Sequence, residues 1–593
     1  MIWLYKRNYN PIWVGFILTS ALLLSFLYFD SYRFYYLEQI QLFRFKWDYF
    51  ESFLGTPGGI SEYCGNFLIQ FFQIPLIGPV IATLLCVSIY FITAVILREF
   101  RIKGVIWSII PVLLIVALHQ DYLYKLGYSK SLLFSLAFIA WCLSVKNVKI
   151  RFVSGLAGFI ILYPLTGIFS FLAPAIFLLY EIFFSVNRSK SGFIAGYVLS
   201  VLLVPYIYWR YIYYLPFSDA WLSPVPNAGN YYTRITLVIL LGYFPLFFII
   251  SRLISYKINK PELDLNNGWK NIAGGIIVLG FVMVLMGKFS FDPKAERILK
   301  IDYYIQKSDW DKALEQCSQY PEPNRMVVYF TNLSLLKSGH LGDRMFHYNQ
   351  VGVSGLSLPW APNNLVPYFG CEIFYHLGYF NEAYRWAFEA MEMNGQCPRL
   401  LKRLVMTSLI NGDIKLAEKF LRQLNQSLFY RNWSRQYMDL INNPELLNSD
   451  KEISENRKLL VQNDFFAGSD DTMLDLKKLL ENHLLNKPAF EYYMASLLLK
   501  KDIVTFTKEI EHLKEFGYKE IPVHYEEALF EYIEFSKQNV LPQGYNIIKS
   551  TIEKFRKYVY TYSSNSNNPN ALTGFLRREF GSTYWYYYHF INQ

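Results

Sequence analysis

The sequence predicts an all-α protein in two parts: a polytopic transmembrane helical domain of about nine helices, then a soluble α-solenoid. Three observations carry this reading. Up to Lys288 the chain is a series of apolar runs of membrane-spanning length, and from Phe289 to Gln593 no run is long enough to cross a bilayer. Charge divides at the same seam, with 22 Lys/Arg against 11 Asp/Glu in residues 1–288 and 35 against 36 afterwards. Short helix–turn–helix signatures then recur in the second half. The expected domains are therefore 1–288, membrane-embedded, and 289–593, aqueous.

A hydrocarbon core needs about 20 apolar residues per helix. The candidate runs are 11–29, 74–97, 104–119, 129–145, 151–163, 166–185, 192–210, 233–253 and 271–288. The first follows Lys6 and Arg7 as a signal peptide would, but it lacks a small-x-small cleavage site and reads as a retained helix. The stretch Phe152–Phe184 is interrupted by Tyr163-Pro164-Leu165-Thr166-Gly167, so it is either one kinked helix or two short ones. Basic residues on both flanks (Lys146, Lys149 and Arg151 before, Arg188 and Lys190 after) favour two crossings under the positive-inside rule. With nine helices, the amino-terminal side holds 14 Lys/Arg and the opposite side 7. The N-terminus is then cytoplasmic and the tail outside the membrane, which in a bacterium means an inner-membrane protein with a periplasmic domain.

The first outward loop, 30–73, is long and amphipathic. Phe34, Leu37, Ile40, Gln41 and Arg44 fall near one helical stripe with aromatics around them, as a helix lying in the lipid interface requires. Thr56-Pro57-Gly58-Gly59 breaks that helix, and a second segment runs from Glu62 to Gln73.

In the second half, Ser308-Asp309-Trp310-Asp311-Lys312-Ala313-Leu314, Gly378-Tyr379-Phe380-Asn381-Glu382-Ala383-Tyr384 and Gly412-Asp413-Ile414-Lys415-Leu416-Ala417-Glu418 are mutually similar. Ala383 and Ala417 share the spacing of a tetratricopeptide (TPR) repeat, whose small residues let paired helices pack closely. Gly339–Arg344 is a weaker copy, Tyr492–Phe530 has helical spacing without the turn, and Pro359-Trp360-Ala361-Pro362 interrupts the array. Such an array is either a lid on the membrane domain or a concave surface for a protein partner. The aromatic ending Gly581–Phe590 reads as a docked segment.

Composition excludes several function classes. The soluble half has no basic face, so nucleic acid is not an expected partner. Six cysteines, none in C-x-x-C spacing, give no zinc ribbon or dithiol site. Phosphate-loop, H-E-x-x-H and G-x-S-x-G signatures are absent, and no D-x-D nucleotide-sugar signature stands in residues 1–288.

What remains are polar groups at the outward helix ends: Asp30 closing the first span, Glu38 on the interfacial helix, Glu62 after the Gly-Gly break, and His119-Gln120-Asp121 after the third span. Carboxylates and a histidine there suit a general base or ligands for a divalent metal such as Mg or Mn. Arg210 and Arg234, near Asp219, suit a lipid-linked phosphate. The bland alternative for each is a helix cap or a headgroup contact.

Leu37-Glu38-Gln39, Asp48-Tyr49-Phe50, Pro57-Gly58-Gly59, Glu62-Tyr63, Phe67-Leu68-Ile69-Gln70, His119-Gln120-Asp121 and Thr583-Tyr584-Trp585 resemble an uncharacterised family of bacterial multipass inner-membrane proteins with TPR-like tails, over the whole chain. The layout is also similar, more loosely, to GT-C-type glycosyltransferases. These carry an acidic residue after the first helix, interfacial helices in that loop, short middle helices and often a periplasmic domain. That resemblance implies transfer of a sugar or glycan from a polyprenyl-phosphate carrier, with Asp30 or Glu38 as base or metal ligand, although no Asp-Glu pair follows the first helix. The alternative is a non-catalytic scaffold whose repeats recruit an envelope-assembly or secretion partner. A transporter is disfavoured, because charge within the spans is nearly confined to Glu181 and no internal repeat is visible.

Overall fold

The computed structural model describes residues 11–184, 190–266, 269–289, 292–320, 322–361, 365–461, 472–482, 485–537, 540–564 and 569–591. Lys6, Arg7, Arg188 and Pro362 lie outside them. Among the described residues the fold is all-α apart from a two-residue parallel pairing of β1 (Ile102–Lys103) with β2 (Leu263–Asp264) and the isolated Val351–Val353 bridge. Two compact units are present, one of Met1–Pro293 with Gln426–Phe429, the other of Lys294–Asn425 with Tyr430–Gln593.

The first unit runs α1 (Pro11–Phe29), α2 (Ser31–Gln39), α3 (Trp47–Leu54), α4 (Gly59–Ile69), α5 (Ile77–Glu99), α6 (Ile110–Leu118), α7 (Leu126–Ser144), α8 (Val148–Thr166), α9 (Leu172–Phe184), α10 (Lys190–Tyr211), α11 (Phe217–Leu222), α12 (Tyr231–Lys257) and α13 (Trp269–Phe289). Among the described residues six helical segments are long and apolar enough to cross a membrane: Pro11–Phe29, Ile77–Glu99, Leu126–Ser144, Val148–Phe184, Ser191–Tyr211 and Tyr231–Lys257. Ile106–Leu118 and Ala273–Val284 are shorter apolar helices. The nine expected runs exceed these six by the two shorter helices and by a second arm within Val148–Phe184.

That segment is a hairpin. The Arg151 side chain, in the first turn of α8, pairs with Glu181, in the last turn of α9, at 2.6 Å. Thirty residues of continuous helix would hold those ends about 45 Å apart. A Cβ on Gly155 would stand 3.2 Å from the Phe177 ring, and Phe159 meets Phe171 at 5.7 Å, so the two arms run antiparallel in register. Pro164 withholds a backbone donor near the end of α8, and Gly167 turns the chain at φ +59. Protein covers the turn: Gly58 N–H donates to the Pro164 carbonyl at 3.1 Å, and Ile168 N–H to that of Ser223 at 3.0 Å. Irregular backbone at membrane depth needs this kind of cover.

The second unit runs α14 (Pro293–Gln306), α15 (Trp310–Ser318), α16 (Arg325–Ser338), α17 (Leu341–Arg344), α18 (Val366–His376), α19 (Phe380–Asn394), α20 (Pro398–Asn411), α21 (Ile414–Leu424), α22 (Arg431–Ile441), α23 (Pro444–Ser449), α24 (Lys451–Arg457), α25 (Thr472–Asn482), α26 (Lys487–Lys500), α27 (Ile503–Glu509), α28 (Val523–Ser536), α29 (Lys549–Ser564), α30 (Pro569–Phe580) and α31 (Tyr584–Phe590). One turn chemistry recurs in it. At Ser308, Gly339, Gly378, Gly412 and Lys501 the chain leaves a helix through positive φ. The next N–H then donates five residues back: Asp309 to Tyr304, His340 to Leu335, Tyr379 to Phe374, Asp413 to Ser408 and Asp502 to Leu497, at 2.8–2.9 Å. This is the Schellman exit, which satisfies a terminal carbonyl and reverses the chain into the next helix. Ala313, Ala383 and Ala417, at matching places in the following helices, are fully buried.

Two buried arginines of α20 lock this unit. Arg399 pairs with Asp302 of α14 at 2.8 Å and Arg403 with Glu372 of α18 at 2.6 Å. Burial alone would raise the Glu372 carboxyl, but Arg403 and Arg399 outweigh it and hold it down to about 2. The aromatic ending is docked within the unit: Trp585 is fully buried, its Nε1 donates to the Glu527 carbonyl at 2.8 Å, and Tyr587 Oη donates to that of Leu499 at 2.9 Å.

Candidate functional site

The ends of α1 and α6 meet around Asp30. Phe34 plants α2 against α1 through an edge contact with Phe26 at 5.8 Å and against the following turn through Phe72 at 5.0 Å. That packing carries the polar side of α2 inward, so Arg33, Glu38 and Gln39 are buried with it. Asp30 Oδ1 pairs with Arg33 Nη1 at 2.8 Å, with both side chains under 8% exposed. Arg33 also donates to Gln120 Oε1, which joins the first outward loop to the turn after α6. A buried ion pair is tolerable only when its remaining hydrogen-bonding capacity is met, and Gln120 contributes to that.

His119 stands beside this pair. Its Nε2 lies 3.2 Å from Ser129 Oγ, and Tyr124 Oη lies 3.0 Å from the same oxygen. Its ring also packs edge-on against Phe26 at 6.4 Å and Tyr124 at 5.3 Å, which fixes the imidazole in place.

Asp121 is a fastener. Its Oδ2 accepts from Asn230 N–H at 2.9 Å and from the Thr233 hydroxyl, and its Oδ1 accepts from Leu123 N–H at 2.9 Å. These bonds tie the loop after α6 to the first turn of α12. Glu62, in the first turn of α4, pairs with Lys125 at 2.5 Å, half in solvent. Glu38 is buried, and its Oε2 accepts from Gln39 Nε2 at 2.6 Å. Arg210 ends α10 exposed, and exposed Arg234 reaches the Gly229 carbonyl at 3.4 Å. Asp219 sits in the first turn of α11 against Ser218.

The structure thus brings Asp30, Gln120 and His119 together through Arg33. It gives Glu62, Asp121 and Arg234 other partners. Among the described residues no three of His, Cys, Asp or Glu stand together as metal ligands. The set expected for Mg or Mn does not assemble there. A cavity of about 400 Å³ beside Thr561, Phe575, Arg578 and Glu579, and one of about 110 Å³ at Cys317 and His347, touch none of the outward carboxylates.

Two buried charges were missed from sequence. Arg33 follows Asp30 by one helical turn, a spacing that signals an ion pair once the helix is known. Lys130, 7% exposed within the apolar helix α7, lies apart from that pair, with the Phe134 ring at 5.9 Å.

Fold and site together define an all-α protein whose first unit carries six helical segments of membrane-crossing length and a buried acid–arginine network. The chain belongs to a family of unknown function (DUF6057), whose family model matches residues 8–591. No curated protein and no solved structure matches it.

Proposed function

We propose that this protein is a bacterial inner-membrane glycosyltransferase of GT-C type, moving a sugar or glycan from a polyprenyl-phosphate carrier at the periplasmic face. The observation that carries the reading is the buried network of Asp30, Arg33 and Gln120. It places an acid at the end of the first helix, between two loops on one end of the bundle. Counting both arms of the Val148–Phe184 hairpin and the two shorter helices gives nine crossings. The N-terminus is then cytoplasmic and the second unit, a TPR-like array, periplasmic.

In this reading Asp30 takes the proton from the acceptor hydroxyl once substrate draws Arg33 away, Gln120 and His119 orient the groups around it, and Arg210 and Arg234 meet the carrier phosphate at the same end of the bundle. Asp121 and Glu62 hold the loops in place. The test is the surface glycan profile of cells carrying Asp30→Asn, with Asp30→Asn/Arg33→Gln as a neutral replacement that leaves no unpaired buried charge. Loss of a glycan in variants that fold normally supports transfer. An unchanged profile in both removes it.

A second reading, a non-catalytic scaffold recruiting an envelope-assembly or secretion partner, is favoured by two observations. Asp30 is already neutralised by Arg33, and Asp121 has a full structural occupation. On that reading glycans are unchanged, and a partner is lost when the repeat surface is altered.

A further inference from the structure

We propose that Arg101 and Arg252 form a binding site for the phosphate of an anionic phospholipid head group, at the end of the helix bundle opposite Asp30. Arg101 follows α5 at φ +58, Phe184 ends α9, and Arg252 lies near the end of α12. Both guanidinium groups face the same ring, at 5.4 Å and 4.9 Å from the Phe184 centroid. Phe184 packs on Phe100 at 5.8 Å, and Phe100 stacks on Phe248 at 4.0 Å. The two charges therefore share one aromatic ring, and both line one groove with Phe100, Phe184 and Phe248.

Neither has a carboxylate partner of its own. Of the other arginines at this end, Arg98 is exposed in the last turn of α5 and Arg151 is neutralised by Glu181. Glu262, the carboxylate that feels Arg101, is taken by Lys103 at 2.8 Å, which lowers its pKa. Among the described residues no carboxylate lies within ion-pair distance of Arg101 or Arg252. Planar guanidinium groups match phosphate oxygens, and paired ones at a helix end sit at head-group depth.

The groove between them, lined also by Ser251 and Pro261, encloses only about 10 Å³. A head group rests on its rim rather than inside it. Beside the groove, Ile250, Leu253 and Ile254 expose 53%, 63% and 43% of their surface on α12. A ligand with one phosphate and long acyl chains matches charge and apolar face together, whereas a soluble phosphate matches the charge alone. The site stands independently of the proposed transfer reaction.

The test uses delipidated full-length protein in neutral detergent, titrated with phosphatidylglycerol, phosphatidylcholine or inorganic phosphate, with bound lipid counted by native mass spectrometry. Phosphatidylglycerol binding should fall about 30-fold in Arg101→Gln/Arg252→Gln, the ratio for two charges at about 1 kcal/mol each, with phosphatidylcholine unaffected. Arg252→Gln alone should lose at least about fivefold and Arg252→Lys less, which keeps the test open if the double variant does not fold. Equal phosphatidylglycerol binding by wild type and Arg252→Gln overturns the proposal. So does equal retention of the two lipids, or displacement of phosphatidylglycerol by inorganic phosphate.

Discussion

Arg151 and Glu181, thirty residues apart in sequence, form a buried ion pair in which Nε and Nη2 of the guanidinium both reach one carboxylate oxygen, at 3.0 Å and 2.6 Å. The contact makes the first turn of α8 and the last turn of α9 neighbours, so the longest apolar segment of the chain doubles back. Whether a chain crosses an odd or even number of times decides which compartment each later segment occupies. This single pair therefore governs the side assigned to everything after residue 184.

Removing one partner leaves a buried charge without its counter-ion. Glu181→Gln should destabilise the first unit by about 3–5 kcal/mol. Arg151→Met/Glu181→Leu, which removes both charges, should cost far less. Thermal unfolding in detergent reads both, and equal losses in the two variants would deny that the pair is buried.

Asp121 accepts three hydrogen bonds, two of them from the start of α12. Asp121→Ala should lower stability by about 3 kcal/mol, since each bond to a charged acceptor contributes about 1.5–3 kcal/mol before the chain relaxes. An unchanged melting temperature with loss of glycan transfer would return Asp121 to a chemical role.

The five Schellman exits make a graded prediction. Ser308 occupies its left-handed position without the freedom of glycine, so Ser308→Gly should stabilise the second unit by about 1 kcal/mol. Gly412→Ala should destabilise it by a similar amount. Lys501→Gly should gain little, because the Lys501 ammonium also donates to the Ile591 carbonyl at 2.8 Å and that tie is lost. Chemical denaturation of the three variants ranks them.

Stability of the second unit should depend on pH from both sides. Glu372 is held at about 2 against an ordinary 4.5, and His376, buried near Lys337 and Arg403, at about 3 against 6.5. Both bind fewer protons folded than unfolded, so their stabilisation is complete above pH 6.5 and drains away as the pH falls towards 2. Glu531 runs the other way. Burial raises its carboxyl from 4.5 to about 7, so its contribution is present below pH 4.5 and lost as the pH rises through 7. Glu531→Gln should melt higher than wild type at pH 8 and alongside it at pH 4. Parallel curves at all pH values would contradict the assignment.

How much of this was legible in sequence follows from how far each interaction reaches along the chain. Apolar runs are local, and each expected run contains a helix. The turns at Ser308, Gly378 and Gly412 are local too, and their Gly-Asp-like spelling exposed them. The equivalent turn at Lys501 was missed because a lysine occupies the position that usually signals itself as glycine. Asp30 was visible as an acid at a helix end, but its link to Gln120 spans 90 residues and has no spacing to betray it. Glu181 was noticed as an isolated charge. Its partner Arg151 was counted only as a flanking cation: the charges on both flanks favoured two crossings, but no local spacing marks residues thirty apart as an ion pair.

The most direct measurement is labelling of introduced cysteines in intact cells with a membrane-impermeant maleimide, in a Cys64→Ser background whose five remaining cysteines are buried. Cysteines replacing Ser52, Leu123 and Ser218, which lie in three connections between apolar helices at one end of the bundle, should all react. Those replacing Lys146 and Lys260, at the other end, should react only after the cells are opened. A protected Ser218 position, with Ser52 and Leu123 labelled and Lys146 shielded, would mean that Val148–Phe184 crosses once, and the paired Arg151–Glu181 hairpin would be wrong.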